Sequence, residues 1–87
     1  MKKEFGWVVS LEFRVDVNEF VSHVSLFRNY DDALLAFQRQ VEEETEWIGA
    51  DSYTEEDKDE NGAMWWYIQH AKDCRYSTVA LRQKVVQ

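Results

Sequence analysis

Eleven consecutive residues, Phe5 to Val15, alternate between apolar and polar with a single break. Phe5, Trp7, Val9, Leu11, Phe13 and Val15 fall on one parity; Gly6, Ser10, Glu12, Arg14 and, as the exception, Val8 fall on the other. Successive side chains of a strand point to opposite faces, so this spacing predicts a long β-strand with one buried face. A strand of that kind cannot stand alone. It needs partner strands and a covering layer, and the rest of the chain must supply both.

Asp16 to Glu19, with Asn18 at its centre, has turn composition, and Phe20–Phe27 is rich in Val and Phe. Together they predict a hairpin with a second, antiparallel strand. The period then changes. Asn29 is a candidate N-cap, with Asp31 and Asp32 in the first turn, where the helix dipole favours negative charge. Tyr30, Leu34, Phe37, Val41 and Ile48 share a narrow arc at helical spacing, with Thr45 beside them, which predicts an amphipathic helix ending near Gly49. Ser52–Glu56 reads as a third strand or as an acidic loop. Asn61-Gly62 is a hairpin signal, since both residues tolerate positive φ. Ala63–His70 is a strand by propensity. Tyr76–Val86 reads as a final strand, with a helix capped by Ser77 as the alternative. The order β-β-α-β-β over residues 1–87 predicts a single α+β domain. It would be a two-layer sandwich, an antiparallel sheet of four to five strands with one helix on one face.

With 87 residues, the chain has a small core and little room for a deep cleft. Hydrophobic residues are 45 % and charged residues 31 %, too apolar a mixture for a disordered chain. The basic start Met1-Lys2-Lys3 is followed by no apolar run of roughly 7–15 residues, and no run approaches the roughly 18 residues of a membrane span. A lone cysteine, Cys74, cannot form an internal disulfide, and the expected compartment is the cytoplasm. Net charge is −7, yet Glu42 to Glu60 alone carries ten acids against one base, or −9. The rest of the chain therefore nets +2, the difference between those two figures. Such an acidic stretch opposes nucleic acid and anionic membranes, whose binding rests on Lys and Arg.

Motifs for chemistry are weak. Asp57-Lys58-Asp59-Glu60-Asn61-Gly62 matches the first half of a calcium loop, but Ile68 stands where the closing bidentate glutamate belongs, so an acidic hairpin turn is the better reading. His70 and Cys74 would meet only on a helix, and this stretch reads as strand then loop. His23 lies among Val21, Val24 and Leu26, as a sheet-surface histidine does. The two histidines and the cysteine lack zinc-ligand spacing. No catalytic residue, metal ligand or cofactor is expected.

Two features break local rules. Glu42, Glu43, Glu44 and Glu46 crowd the helix end against its dipole, and Met64-Trp65-Trp66-Tyr67 sends large aromatics to both faces of a strand when one helix covers only one face. The expectation is a protein-binding module, an adaptor or inhibitor docking on a basic partner surface. Its contacts would come from Glu43, Glu46, Glu55, Glu56, Asp57, Asp59, Trp65, Trp66 and Tyr67. The alternative is a homo-oligomeric subunit, a homodimer for instance, that buries an aromatic sheet face. A small-ligand binder or enzyme, with its ligand between that face and the Asp51–Glu60 loop, ranks below both.

Overall fold

The alternating N-terminal segment forms β1, Glu4–Asp16, and the hairpin returns as β2, Glu19–Phe27. In the computed structural model of the chain, residues 4–86 are described, with side chains from Gly6 to Lys84. The side chains of Phe5 and Val85, and the Met1-Lys2-Lys3 start, lie outside the described residues. The hairpin turn is held by Asp16 Oδ1, which accepts from the Asn18 amide at 3.0 Å, as a short acidic side chain does in an Asx turn.

The helix α1 spans Tyr30–Ile48 and begins where the sequence places it. Asn29 stays extended, its side-chain oxygen accepts from the Asp32 amide at 2.9 Å, and its Nδ2 donates back to Asp32 Oδ2 at 3.0 Å. The reciprocal pair satisfies an orphan amide and keeps the acid in the favourable first turn. At the far end Gly49 takes φ +93°, with its amide on Thr45 O at 3.0 Å.

Three strands follow: β3 Ser52–Lys58, β4 Met64–His70 and β5 Tyr76–Val86. Between the strand and loop readings of Ser52–Glu56, the strand is correct and two residues longer; the C-terminal segment is strand, not helix. The β3–β4 loop departs from a two-residue Asn-Gly turn. Gly62 alone has positive φ, the Asp59 amide bonds Ala63 O, and Asp59 Oδ1 accepts from the amides of Asn61 and Ala63. The Asp59 side chain thus organises the loop and makes the positive-φ Asn unnecessary.

All pairings are antiparallel, in the order β2-β1-β5-β4-β3. The helix links the two edge strands and so has to pass over the whole sheet, giving a two-layer α+β sandwich with the opposite face open. Two edge-to-face aromatic pairs pin it along β1: Trp7–Tyr30 at 4.7 Å and Phe13–Trp47 at 5.5 Å. Val9, Ala33, Phe37, Ile48, Trp66, Ile68, Val79 and Leu81 form the core beneath it. The buried line of the helix is Ala33, Phe37, Glu44 and Ile48, rotated from the apolar arc by which Leu34 and Val41 become half-buried and Thr45 exposed. Ala33 lets the helix approach closely, and Glu44 is tolerated because Ser77 Oγ and Gln40 Nε2 donate to its carboxylate. No helix among the described residues is long and apolar enough to cross a membrane.

Candidate functional site

Strand alternation and register decide which side chains face away from the helix. On β4, Met64, Trp66 and Ile68 point to the core side; Trp65, Tyr67 and Gln69 point to the open face. The adjacent tryptophans therefore have opposite fates, Trp66 at 6 % exposure in the core and Trp65 at 38 % on the surface. Trp66 is accordingly corrected from a candidate contact to a core residue, because its strand parity turns it under the helix.

Cross-strand pairing assembles an aromatic surface around Trp65 and Tyr67. Their rings stack within 2° of parallel at 6.0 Å. Tyr67 meets Tyr53 of β3 at 6.4 Å and Tyr76 of β5 at 6.0 Å, and Tyr76 meets Phe20 of β2 at 6.3 Å. The chain of rings thus crosses the sheet from one edge to the other. Two hydroxyls share one acceptor: Tyr53 donates to Gln69 Oε1 at 2.8 Å, and Tyr67 donates to the same oxygen. The Arg14 guanidinium lies over the Tyr76 ring at 5.9 Å, while its buried Nε has no hydrogen-bond partner among the described residues. A cation is thus already held on this face by an aromatic ring.

Carboxylates border the rings. Glu55 is registered opposite Tyr67 and Asp57 opposite Trp65, so both lie on the open face. Burial raises the Tyr67 hydroxyl above its ordinary pKa, and the nearby Tyr53, Tyr76 and Glu55 push it the same way, since each opposes a second negative charge.

The other expected contacts are placed elsewhere. Glu56 sits on the helix side of β3, opposite Trp66, and Glu43 and Glu46 are exposed on the helix. The Asp59 carboxylate is engaged by loop amides. Of the nine residues expected at the site, Glu55, Asp57, Trp65 and Tyr67 come together. Tyr76, Phe20, Arg14 and Gln69 were missed, and they join the surface only through strand pairing that a linear reading does not reveal. A cleft of about 320 Å³, lined by residues including Phe37, Glu56, Lys58, Met64 and Trp65, opens between the helix and the β3 edge. Residues 52–58 of the Asp51–Glu60 segment, considered as a loop beside the aromatic face, are strand, so only its Asp59–Glu60 end lies in the β3–β4 loop.

His70 closes β4, and its Nδ1 accepts from the amides of Lys72 and Asp73 at 3.1 and 3.2 Å. The same Nδ1 lies 3.4 Å from Asp73 Oδ2. Arg75 grips Asp73 through its backbone amide and Nε, which holds the Asp73 carboxyl below its ordinary pKa. These contacts build the β4–β5 loop, in which Cys74 is half-buried.

Compared with known proteins, the chain matches no family model, no curated protein and no solved structure.

Proposed function

We propose that the protein is a protein-binding module that takes a basic segment of a partner across the Trp65–Tyr67–Tyr53 corner of its open sheet face. The observation that carries this reading is the juxtaposition of the stacked Trp65–Tyr67 pair with Glu55 and Asp57 on the same face. Exposed ring faces attract guanidinium and ammonium groups, and flanking carboxylates complete their coordination. Large aromatics are the residues on which binding energy concentrates, while surrounding charge steers encounter and selects partners. Arg14 over Tyr76 and Arg75 over Trp47, at 5.9 and 5.6 Å, are internal examples of the same contact.

An aromatic sheet face also suits stacked bases of single-stranded nucleic acid. Charge argues against that use here. Phosphates beside Trp65 and Tyr67 would meet Glu55 and Asp57, on a chain whose net charge is −7.

The test is titration of the isotopically labelled protein with an arginine- and lysine-rich peptide, and separately with a single-stranded oligonucleotide. Peptide binding should shift the resonances of Trp65, Tyr67 and Tyr53, and Trp65→Ala should weaken it by roughly tenfold or more. Shifts confined to the helix, or an oligonucleotide that binds the same rings more tightly than the peptide, would overturn the reading.

A further inference from the structure

The two edges of the sheet are built differently. An edge strand presents a row of unpaired amides and carbonyls, and proteins that remain monomeric usually guard it with charge, proline, a bulge or a covering element. At the β3 edge the guard is present: Glu55, Glu56, Asp57 and Lys58 follow one another along it. At the β2 edge it is absent. The eight residues from Phe20 to Phe27 contain no Asp, Glu, Lys, Arg or Pro. The irregular register of this hairpin falls between Arg14 and Asp16 at its tip, leaving Phe20–Phe27 in unbroken register with β1. Apolar side chains are exposed on both faces of the strand, Val21 on the helix side and Phe20, Val24 and Leu26 on the open side, the last two at 60 % each. Of the β2 side chains, Phe27 packs against the hydrophobic core.

We infer that the β2 edge pairs antiparallel with the β2 edge of a second copy of this chain, joining two five-stranded sheets into one of ten strands. Charge selects this occupant. The uncharged strand is bounded by Glu19 at its start and Arg28 after its end. A two-fold axis perpendicular to the sheet, passing beside His23 or Val24, opposes no like charges anywhere along Phe20–Phe27, while Glu19 and Arg28 of the two copies fall one residue out of register and by alternation turn to opposite faces. The same operation at β3 would set acid against acid, which is destabilising for directly opposed like charges. Two-fold pairing at β2 therefore closes the assembly, because both outer edges of the ten-stranded sheet are the charged β3 strands. The operation keeps faces on their own sides, so both helices lie on one side and both open faces on the other. This inference is independent of what the open face binds.

Sedimentation velocity of the full chain across a concentration series tests it, with amide hydrogen exchange at the two extremes. The expected result is a monomer–dimer equilibrium in which β2 amides gain protection as the dimer fills. Val24→Lys puts a charge at the two-fold in a side chain already exposed in the monomer. It should weaken dimerisation by roughly tenfold or more with an unchanged circular dichroism spectrum. A chain that stays monomeric at the highest concentration, or a dimer indifferent to Val24→Lys, would overturn the inference. A dimer lost in Trp65→Ala but kept in Val24→Lys would overturn it in favour of packing through the open face.

Discussion

Ser77 Oγ donates a 2.7 Å hydrogen bond to Glu44 Oε1 beneath the helix, joining a fully buried hydroxyl of β5 to the one buried acid of α1 among the described residues. Gln40 Nε2 donates to the other carboxylate oxygen at 3.2 Å. Removing one partner of a buried pair leaves the other unsatisfied, which costs more than the bond itself contributes. Ser77→Ala should therefore destabilise by about 1–3 kcal/mol. The double variant Ser77→Ala, Glu44→Leu should recover part of that loss, because it leaves no orphaned carboxylate. Urea unfolding of the single and double variants checks this. A double variant less stable than Ser77→Ala would show that the acid stabilises the fold through something other than Ser77.

Phe37 and Leu11 lie on facing surfaces of helix and sheet but are not equally enclosed. Phe37 is buried in the core, whereas Leu11 is half-buried at its margin. Phe37→Ala should cost roughly 3–5 kcal/mol through lost transfer energy and the cavity left behind. Leu11→Ala should cost roughly 1–2 kcal/mol, since part of its surface is already in water. Equal shifts in urea midpoint would mean that Leu11 is enclosed more fully than its exposure indicates.

The elements were legible in the sequence where one residue type dictates one conformation. Period-two alternation places β1, and Asn29 and Gly49 bracket the helix because their chemistry suits its two ends. Facing across layers was less legible. An apolar arc drawn through Leu34 and Val41 overlooks Ala33, whose use is its smallness, and Glu44, whose burial depends on Ser77, thirty-three residues away. The candidate site was half legible for the same reason. Alternation separates Trp65 from Trp66, and the acids of β3 are plain in the chain. That Glu55 and Asp57 share a face with the rings while Glu56 does not follows only once β3 is a strand in a known register. Tyr76 and Phe20 reach the surface through pairings with β1 that no local pattern encodes.

Gly62 has φ +92°, and a Cβ placed there would lie 3.0 Å from Tyr30 Cε1. Gly62→Ala therefore meets both a left-handed backbone, which costs roughly 1–2 kcal/mol for a side-chain-bearing residue, and a ring that must give way. Tyr30 is the edge partner of Trp7, so the near-ultraviolet circular dichroism of the tryptophans should change with stability. Loss of stability with an unaltered aromatic spectrum would mean that the backbone alone bears the cost.

The Tyr67 hydroxyl binds its proton more tightly in the folded than in the unfolded chain, because burial, the neighbouring Tyr53 and Tyr76 and the charge of Glu55 all oppose the phenolate. A raised folded pKa makes the contribution complete below the unfolded value, near pH 10, and removes it as pH rises through the folded value. Stability should thus decline on the alkaline side, with part of the decline absent in Tyr67→Phe. Thermal unfolding from neutral to alkaline pH, with phenolate absorbance recorded in parallel, measures both. Equal alkaline slopes for the two proteins would contradict the assignment.

The acidic stretch from Glu42 to Glu60 is continuous in sequence but divided in space, and the division separates its effects. Glu55 and Asp57 border the rings of the open face; Glu43 and Glu46 lie on the helix, across the sheet. Screening confines a charge's influence to about 8 Å at physiological salt, so a basic peptide approaching Trp65 should respond mainly to the first pair. Glu55→Lys with Asp57→Lys should slow association with an arginine- and lysine-rich peptide and flatten the dependence of the on-rate on salt. The dissociation rate should change less, since steering acts on encounter. Glu43→Lys with Glu46→Lys should leave that on-rate nearly unchanged. The second exchange should instead raise stability by about 0.3–1 kcal/mol, because the last turn of the helix holds no basic residue and Glu46 opposes the dipole there. Stopped-flow association at two salt concentrations, with urea unfolding of both double variants, separates the contributions. Were the helix pair to slow association as much as the β3 pair, the partner's path would cross the helical layer and the open face would lose its claim to the first encounter.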